Sequence, residues 1–300
     1  MKKGGLHKTL IVIAGPTASG KTAAAIQLAK QLDTLIVNAD SRQFYKEMRI
    51  GTAVPSPQEL LEVKHYFIQN ISIFDNYDVS TYEKQVMALL PQLFEAHDQV
   101  ILTGGSGLFI DAVCKGIDEM PDITAATRQK VTALLETQGL EGLQSEVQRL
   151  DPDYWAIVDR KNPRRLQRAL EVCYQTGQTF SSFRVKQTAQ RDFNIVKYAL
   201  LWDKQELYNR INRRVEVMLS EGLVDEARAL YPHRHLNALN TVGYKELFDY
   251  FDGQCDLMTA VEQIKLDTRH YAKRQMTWLR KDQEYRWINP SIGETITVSR

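Results

Sequence analysis

The chain has 300 residues, 43% hydrophobic and 25% charged. This composition excludes wholesale disorder and is enough for two domains or one interrupted domain. Its 38 Lys and Arg stand against 37 Asp and Glu, a net charge of +1, which excludes a globally basic, histone-like binder but leaves room for a local basic surface.

The basic start Met1–Lys8, followed by the apolar stretch Leu10–Ala14, mimics a signal peptide. That stretch falls short of the roughly 7–15 residues of an apolar signal core. The β-branched run Thr9–Ala14 predicts a buried strand ending at Gly15, and Thr22–Leu32, rich in Ala, Leu, Lys and Gln, predicts a helix. Leu35–Val37 reads as a second strand ending near Asp40, Val79–Ala96 as a helix and Val100–Leu102 as a third strand. Gly104, Gly105 and Gly107 follow, then a helical stretch, Leu108–Val113. From Asp118 the pattern turns helical, over 124–150 and 163–176, until a strand at Ile195–Trp202. Asp203–Glu206 resembles a capping box opening a long helix that breaks near Gly222. Leu257–Lys281 is another helical run, and Arg286–Ile288 a closing strand. Strands alternating with helices predict an α/β fold, a P-loop NTPase-like parallel sheet flanked by helices, with a helical insertion domain. The core takes residues 1–117 and 195–300, and the insertion 118–194.

Cys114, Cys173 and Cys255 lie far apart without a CxxC pair. They exclude a disulfide framework and a cysteine zinc site, and read as buried thiols in a reducing cytoplasm. No apolar run approaches the roughly 18 residues of a membrane span, so no membrane partner is expected.

Gly15-Pro16-Thr17-Ala18-Ser19-Gly20-Lys21-Thr22 fits G-x-x-x-x-G-K-[ST] between a buried strand and a helix. The glycines let backbone N–H groups converge on an anion, and the helix N-terminus adds its positive dipole end. Lys21 supplies a point charge, and the Thr22 hydroxyl can ligate Mg²⁺. The pattern calls for a di- or triphosphate group without identifying its carrier. The strand Val100–Leu102 lacks a Walker B acid, and no Asn-Lys-x-Asp guanine motif occurs. Asp40, after the second strand, is the first acid at a strand end. It can bind Mg²⁺, take a proton from a nucleophile, or hold a turn. Ser106 can cap the next helix or donate its hydroxyl to a substrate. Carboxyl ends of neighbouring strands share one crevice, where Asp40, Ser106 and the P-loop can converge.

Arg160–Arg191 holds eight basic residues against one acid, Glu171, a net +7 in a chain of total +1. Such concentration fits a nucleic-acid footprint inside a neutral enzyme or a solvated helix face. Pro163 suits a helix N1 position. Arg164 and Arg168 then share one face, while Leu166 and Leu170 can face a core. Tyr174, Phe180 and Phe183 are core aromatics or platforms for unpaired bases. Arg210, Arg213 and Arg214 cluster on one helix side, either clamping phosphates or pairing with Glu206 and Glu216. Lys265, Arg269, Lys273, Arg274, Arg280 and Lys281 line the last helix, as an RNA contact or a solvated face.

These segments together resemble the tRNA dimethylallyltransferase (isopentenyl-tRNA transferase) family. The resemblance is carried by Gly15–Thr22, Asn38–Lys46, Gly51-Thr52-Ala53, Gly104–Leu108, Asn162–Arg165 with Arg168–Val172, Gly243–Glu246, and Thr268-Arg269 with Ala272–Gln275 and Trp278. It spans about residues 10–288 in family order. It implies transfer of a dimethylallyl group from dimethylallyl diphosphate to N6 of the adenine at tRNA position 37, just 3′ of the anticodon, with Mg²⁺ and without ATP hydrolysis. It further implies Asp40, Ser106, Lys21 and Arg214 as catalytic. Gly15, Pro16, Thr17, Ala18, Ser19, Gly20, Lys21, Thr22 and Arg210 would bind the diphosphate, with Thr22 on the metal. Asp40, Ser41, Arg42, Gln43, Ser106, Arg128, Arg164, Arg165, Leu166, Gln167 and Arg168 would contact tRNA through its anticodon arm. The expected protein is a cytoplasmic monomer. Val54 and the His65 region carry no assignment. A small-molecule or nucleotide kinase, with ATP in the P-loop and Asp40 as base, leaves the +7 segment unexplained. A non-catalytic RNA binder leaves Lys21, Thr22 and Asp40 unexplained.

Overall fold

The computed structural model describes residues 8–185 and 188–297. Residues 1–7 of the basic start, and Lys186 of the +7 segment, lie outside the described residues. Residues up to Cys114 together with those from Gln190 form one compact unit, and Lys115–Ala189 a second. The division falls at 115 and 189 where the sequence placed it at 118 and 194. At the far end the reason is Arg191, whose guanidinium bonds Glu83 at 2.7 Å and the carbonyls of Ala112 and Val113.

In chain order the first unit begins β1 (Thr9–Ala14), α1 (Lys21–Leu32), β2 (Ile36–Asn38), α2 (Pro57–Glu62), β3 (His65–Tyr66), α3 (Val79–Ala96), β4 (Gln99–Gly104) and α4 (Gly107–Lys115). The second unit holds α5 (Ala125–Leu150), α6 (Pro152–Trp155), α7 (Pro163–Thr176) and α8 (Phe180–Phe183). The first resumes with β5 (Asn194–Leu200), α9 (Lys204–Ser220), α10 (Leu223–Leu230), α11 (Lys245–Phe251), α12 (Leu257–Leu279) and β6 (Tyr285–Ile288). The six strands make one sheet in the order β3-β2-β4-β1-β5-β6, parallel throughout.

Side chains of β1 alternate between the two faces of this sheet. Leu10, Val12 and Ala14 join the large core that also holds Tyr82, Val86 and Leu90 of α3, while Ile11 and Ile13 join Ala25, Ile26 and Leu28 of α1. Both faces are buried, so the strand reads as a continuous apolar run. Register aligns Ala14 with Gly104 and Ala199, and Asn38 with Thr103. The loops after β1, β2 and β4 therefore leave the sheet side by side. A Cβ on Gly104 would lie 2.4 Å from the Ala39 carbonyl carbon, so the β2 and β4 ends approach as only glycine permits.

In the second unit, α5 and α7 pack around Val131, Leu143, Val147, Leu166, Ala169, Leu170 and Cys173. Asn162 caps α7 by accepting from Arg165 N–H, Pro163 occupies its first turn, and Gly177 ends it at φ 70°. Leu166 is fully buried in this core. The Leu166 side chain thus points inward with Leu170, as the i,i+4 spacing requires, and leaves only its backbone for the expected tRNA contact. Phe180 and the partly buried Tyr174 and Phe183 pack on the same core. Phe180 is buried edge-on against Tyr154, and Tyr174 bonds Glu146 beneath Lys130.

Candidate active site

The loop from Gly15 to Gly20 leaves β1 and opens α1, with Gly20 in the left-handed region at φ 88° as the helix N-cap. Ala18 also has positive φ, and this winding turns successive N–H groups toward one side. Lys21 reaches back over the loop, its Nζ 2.8 Å from the Pro16 carbonyl. Helix α9 clamps the loop from outside: Arg210 Nε donates to the Ala18 carbonyl at 2.8 Å, and Arg214 donates to the Thr17 hydroxyl at 3.2 Å. Trp202 supports both, donating to the Ser19 carbonyl at 2.8 Å with Arg210 stacked on its ring at 4.1 Å. Arg210 and Arg214 thus hold the loop itself, and Glu216 pairs with Lys265.

A cavity of about 550 Å³ opens beside the loop, lined by Lys21, Thr22, Asp40, Gln43, Glu59, Arg210, Arg213 and Arg214 among others. Burial pushes the Lys21 pKa down to about 8, with Asp40 opposing and Arg214 adding to the fall. Burial likewise lowers Arg214 below the usual guanidinium range, against Asp40 and helped by Arg210. Two desolvated cations side by side make a site that gains most from an anion. The oxygen donors lining this cavity include hydroxyls such as that of Thr22 and the Asp40 and Glu59 carboxylates. Among the described residues no group of three His, Cys, Asp or Glu could hold a metal. Oxygen donors of this kind fit Mg²⁺, which takes its remaining ligands from phosphate oxygens and water.

Asp40 stands at the end of β2, and its Oδ1 accepts from Arg42 N–H at 3.2 Å. The turn role weighed from sequence is thus real, and it leaves Oδ2 toward Gly105. The Ser106 carbonyl accepts from Phe109 N–H at 2.9 Å and Ile110 N–H at 3.1 Å at the start of α4. The Ser106 Oγ accepts from Ser41 N–H at 3.0 Å and bonds Ser41 Oγ at 3.0 Å. Tyr271 of α12 lies near Ser106, and burial raises its phenol to about 12. Gln43 is buried and donates to the Thr52 and Ala53 carbonyls, so it shapes the cavity wall. Arg42 donates to the carbonyls of Asn237, Ala238 and Asn240. A second cavity, about 440 Å³, is lined by Ser41, Arg42, Gly51, Thr241, Tyr271 and Arg274, and shares Thr17, Asp40, Thr52 and Arg214 with the first.

Several contributors carried no assignment from sequence. Gln275 accepts from Thr17 N–H at 2.8 Å and donates to the Gly105 carbonyl at 2.9 Å. Glu226 accepts from the N–H groups of Arg49, Ile50 and Gly51 and from the Tyr244 hydroxyl, holding the loop before Thr52. Glu246 accepts from Gly243 N–H, and burial raises its pKa to about 7. Gln275 and Glu246 fall in the quoted motifs, but no local pattern gives them a role.

In the second unit Arg128, Arg164 and Arg165 are exposed, and Gln167 is half-buried. Arg168 is partly exposed and lies 3.6 Å from Glu171. Arg184 packs over Tyr154, and Arg191 is tied within the first unit, so the +7 segment is not one continuous basic face. The three cysteines form no disulfide, and no described helix is long and apolar enough to cross a membrane.

Sheet, loop and paired cations define a P-loop-type α/β protein. The sequence profile of the family described as IPP transferase matches residues 43–282. A tRNA dimethylallyltransferase 1 of Bacteroides fragilis is 50% identical over 289 residues, 96% of either chain. The tRNA dimethylallyltransferase of Christiangramia forsetii is 49% identical over 279 residues, 93% of this chain and 92% of that one. The solved full-length tRNA isopentenylpyrophosphate transferase of Bacillus halodurans has a TM-score of 0.69 at 33% identity, covering 94% of this chain and 90% of that one. The chain belongs to the IPP transferase family.

Proposed function

We propose that this protein transfers the dimethylallyl group of dimethylallyl diphosphate to N6 of the adenine at tRNA position 37, as a cytoplasmic monomer. Its relatives named for dimethylallyl transfer to tRNA favour this over the kinase alternative. The single observation that carries the chemistry is Asp40 on the wall shared by two cavities, one of them lined by desolvated cations.

The first cavity takes the diphosphate. Backbone N–H groups of the Gly15–Thr22 loop, Lys21, Arg210 and Arg214 bind its oxygens. The second cavity takes the adenine, which must leave its stack to reach it. The N6 lone pair attacks C1 of the dimethylallyl group as the C1–O bond breaks, and the bonding pair leaves on the diphosphate. Lys21 and Arg214 stabilise the charge growing there. Asp40 accepts the N6 proton, because an exocyclic amine is a poor nucleophile until that proton departs. Ser106, held by Ser41, orients the base beside Asp40. Thr22 would hold Mg²⁺, which would supply neutralisation of diphosphate charge. In the second unit, Arg128, Arg164, Arg165, Gln167 and Arg168 contact the anticodon arm.

Asp40→Asn tests the reading. The amide keeps the turn geometry but cannot take the proton. Single-turnover transfer at saturating tRNA should fall by about 10²–10⁴-fold, with tRNA affinity changed only modestly. Normal chemistry with collapsed affinity would make Asp40 a binding residue and refute its role.

A further inference from the structure

The ladder between β1 and β4 ends where Ala14 faces Gly104. Beyond it the two strands run into the phosphate loop and into the Gly105–Ser106 turn. Between Thr17 and Gly105 stands one side chain. Gln275 accepts from Thr17 N–H at 2.8 Å and donates to the Gly105 carbonyl at 2.9 Å. A primary amide carries the donor and acceptor of a peptide group, so it continues the interrupted pairing by one rung.

The side chain is 7% exposed, and each end of its amide has a partner. Both polar ends are engaged within the protein. The turn is shaped around it, since a Cβ on Gly105 would lie 2.3 Å from Gln275 Nε2. Thr17 is fixed at its other end by Arg214, and Ser106 by Ser41. One amide therefore ties the loop beside the cations to the turn beside Asp40.

We propose that Gln275 is a positioning residue that sets the spacing between the phosphate loop and the Asp40–Ser106 side of the site. It acts on the alignment of two bound substrates and leaves the binding of each alone. This rests on the assignment of the two cavities given above. Displacing reacting groups by about 1 Å can cost about 10²-fold in rate.

Gln275→Glu is the test. It keeps the side-chain length and the acceptor for Thr17 N–H, but the ionised form turns an oxygen toward the Gly105 carbonyl. Protonation restores a donor there, and a buried carboxyl facing a carbonyl resists ionisation. The charged and titratable groups around these loops include Lys21, Asp40, Arg210, Arg214, Tyr271 and Arg274. They are present in both proteins, so the ratio of variant to wild type is the quantity to follow.

At pH 8, kcat should fall by about 10- to 100-fold while the KM values for dimethylallyl diphosphate and tRNA stay within about threefold. The ratio of variant to wild-type kcat should rise toward one as pH falls. A kcat within about twofold of wild type at pH 8, a loss confined to either KM, or a ratio that does not move with pH would each overturn the inference. If this variant does not fold by circular dichroism, Gln275→Met, of matching length without the polar atoms, carries the same kcat and KM criteria. Wild-type protein that leaves the adenosine unmodified refutes the cavity assignment. An active wild type with an indifferent Gln275 refutes this inference alone.

Discussion

Replacing Lys21 by Met keeps the aliphatic stem and deletes one charge from the phosphate cavity. Lys21 Nζ lies 2.8 Å from the Pro16 carbonyl, and its burial holds the pKa near 8. In the reaction this ammonium faces a leaving diphosphate whose charge grows as the C1–O bond breaks. Deleting one preorganised donor of this kind costs about 3–4 kcal/mol, or about 10²–10³ in rate. Arg214 remains in the cavity, so the lower end is expected. The wild type adds a pH signature with a definite sign. Free Lys21 loses its proton near pH 8, well below the usual 10.5, because burial penalises the charge. Diphosphate restores the partner and the proton. Above about pH 8 donor binding must take up a proton, so affinity falls by up to about tenfold per pH unit. Below pH 8 the proton is already present and this dependence vanishes. Calorimetric donor binding between pH 6.5 and 9.5, with single-turnover transfer on wild type and Lys21→Met, measures both effects. A folded variant with a rate within about twofold of wild type, or with the same alkaline loss of affinity, would refute the reasoning.

Arg164→Ala combined with Arg168→Ala should weaken tRNA binding, leave donor binding nearly unchanged, and flatten the salt dependence by up to about 0.7–0.9 log units per lost phosphate contact; unchanged affinity and slope in filter binding would make these arginines a solvated face. Leu166→Ala should destabilise the protein by about 2–5 kcal/mol in urea unfolding, without altering the tRNA affinity of the folded protein below its transition. A selective loss of tRNA affinity at undiminished stability would make the Leu166 side chain a contact.

The phosphate loop was legible because its glycine spacing, Lys21 and Thr22 sit between a buried strand and a helix, so local pattern and local geometry agree. The main sheet followed from apolar runs, as at Thr9–Ala14, which is observed with the same limits. Shorter elements escaped for physical reasons. Strand β3 is two residues long, too short for any periodicity, and α2 buries none of its residues. Charge counting also misled at Arg191, since a net charge does not say which way a guanidinium points. At Leu166 helix periodicity, not family resemblance, described the side chain. Gln275, Trp202 and Glu226 act through partners from 18 to 258 residues away in sequence. Nothing local to such residues marks that role.

The measurement that bears most directly on the central claim is nucleoside analysis of the product. Unmodified tRNA is incubated with the protein, Mg²⁺ and labelled dimethylallyl diphosphate, then digested and resolved by mass. The expected result is label on N6-dimethylallyladenosine, mapped to the adenine 3′ of the anticodon, with one diphosphate released per transfer. Unmodified adenosine, with phosphate passing from ATP to an acceptor hydroxyl, would contradict it.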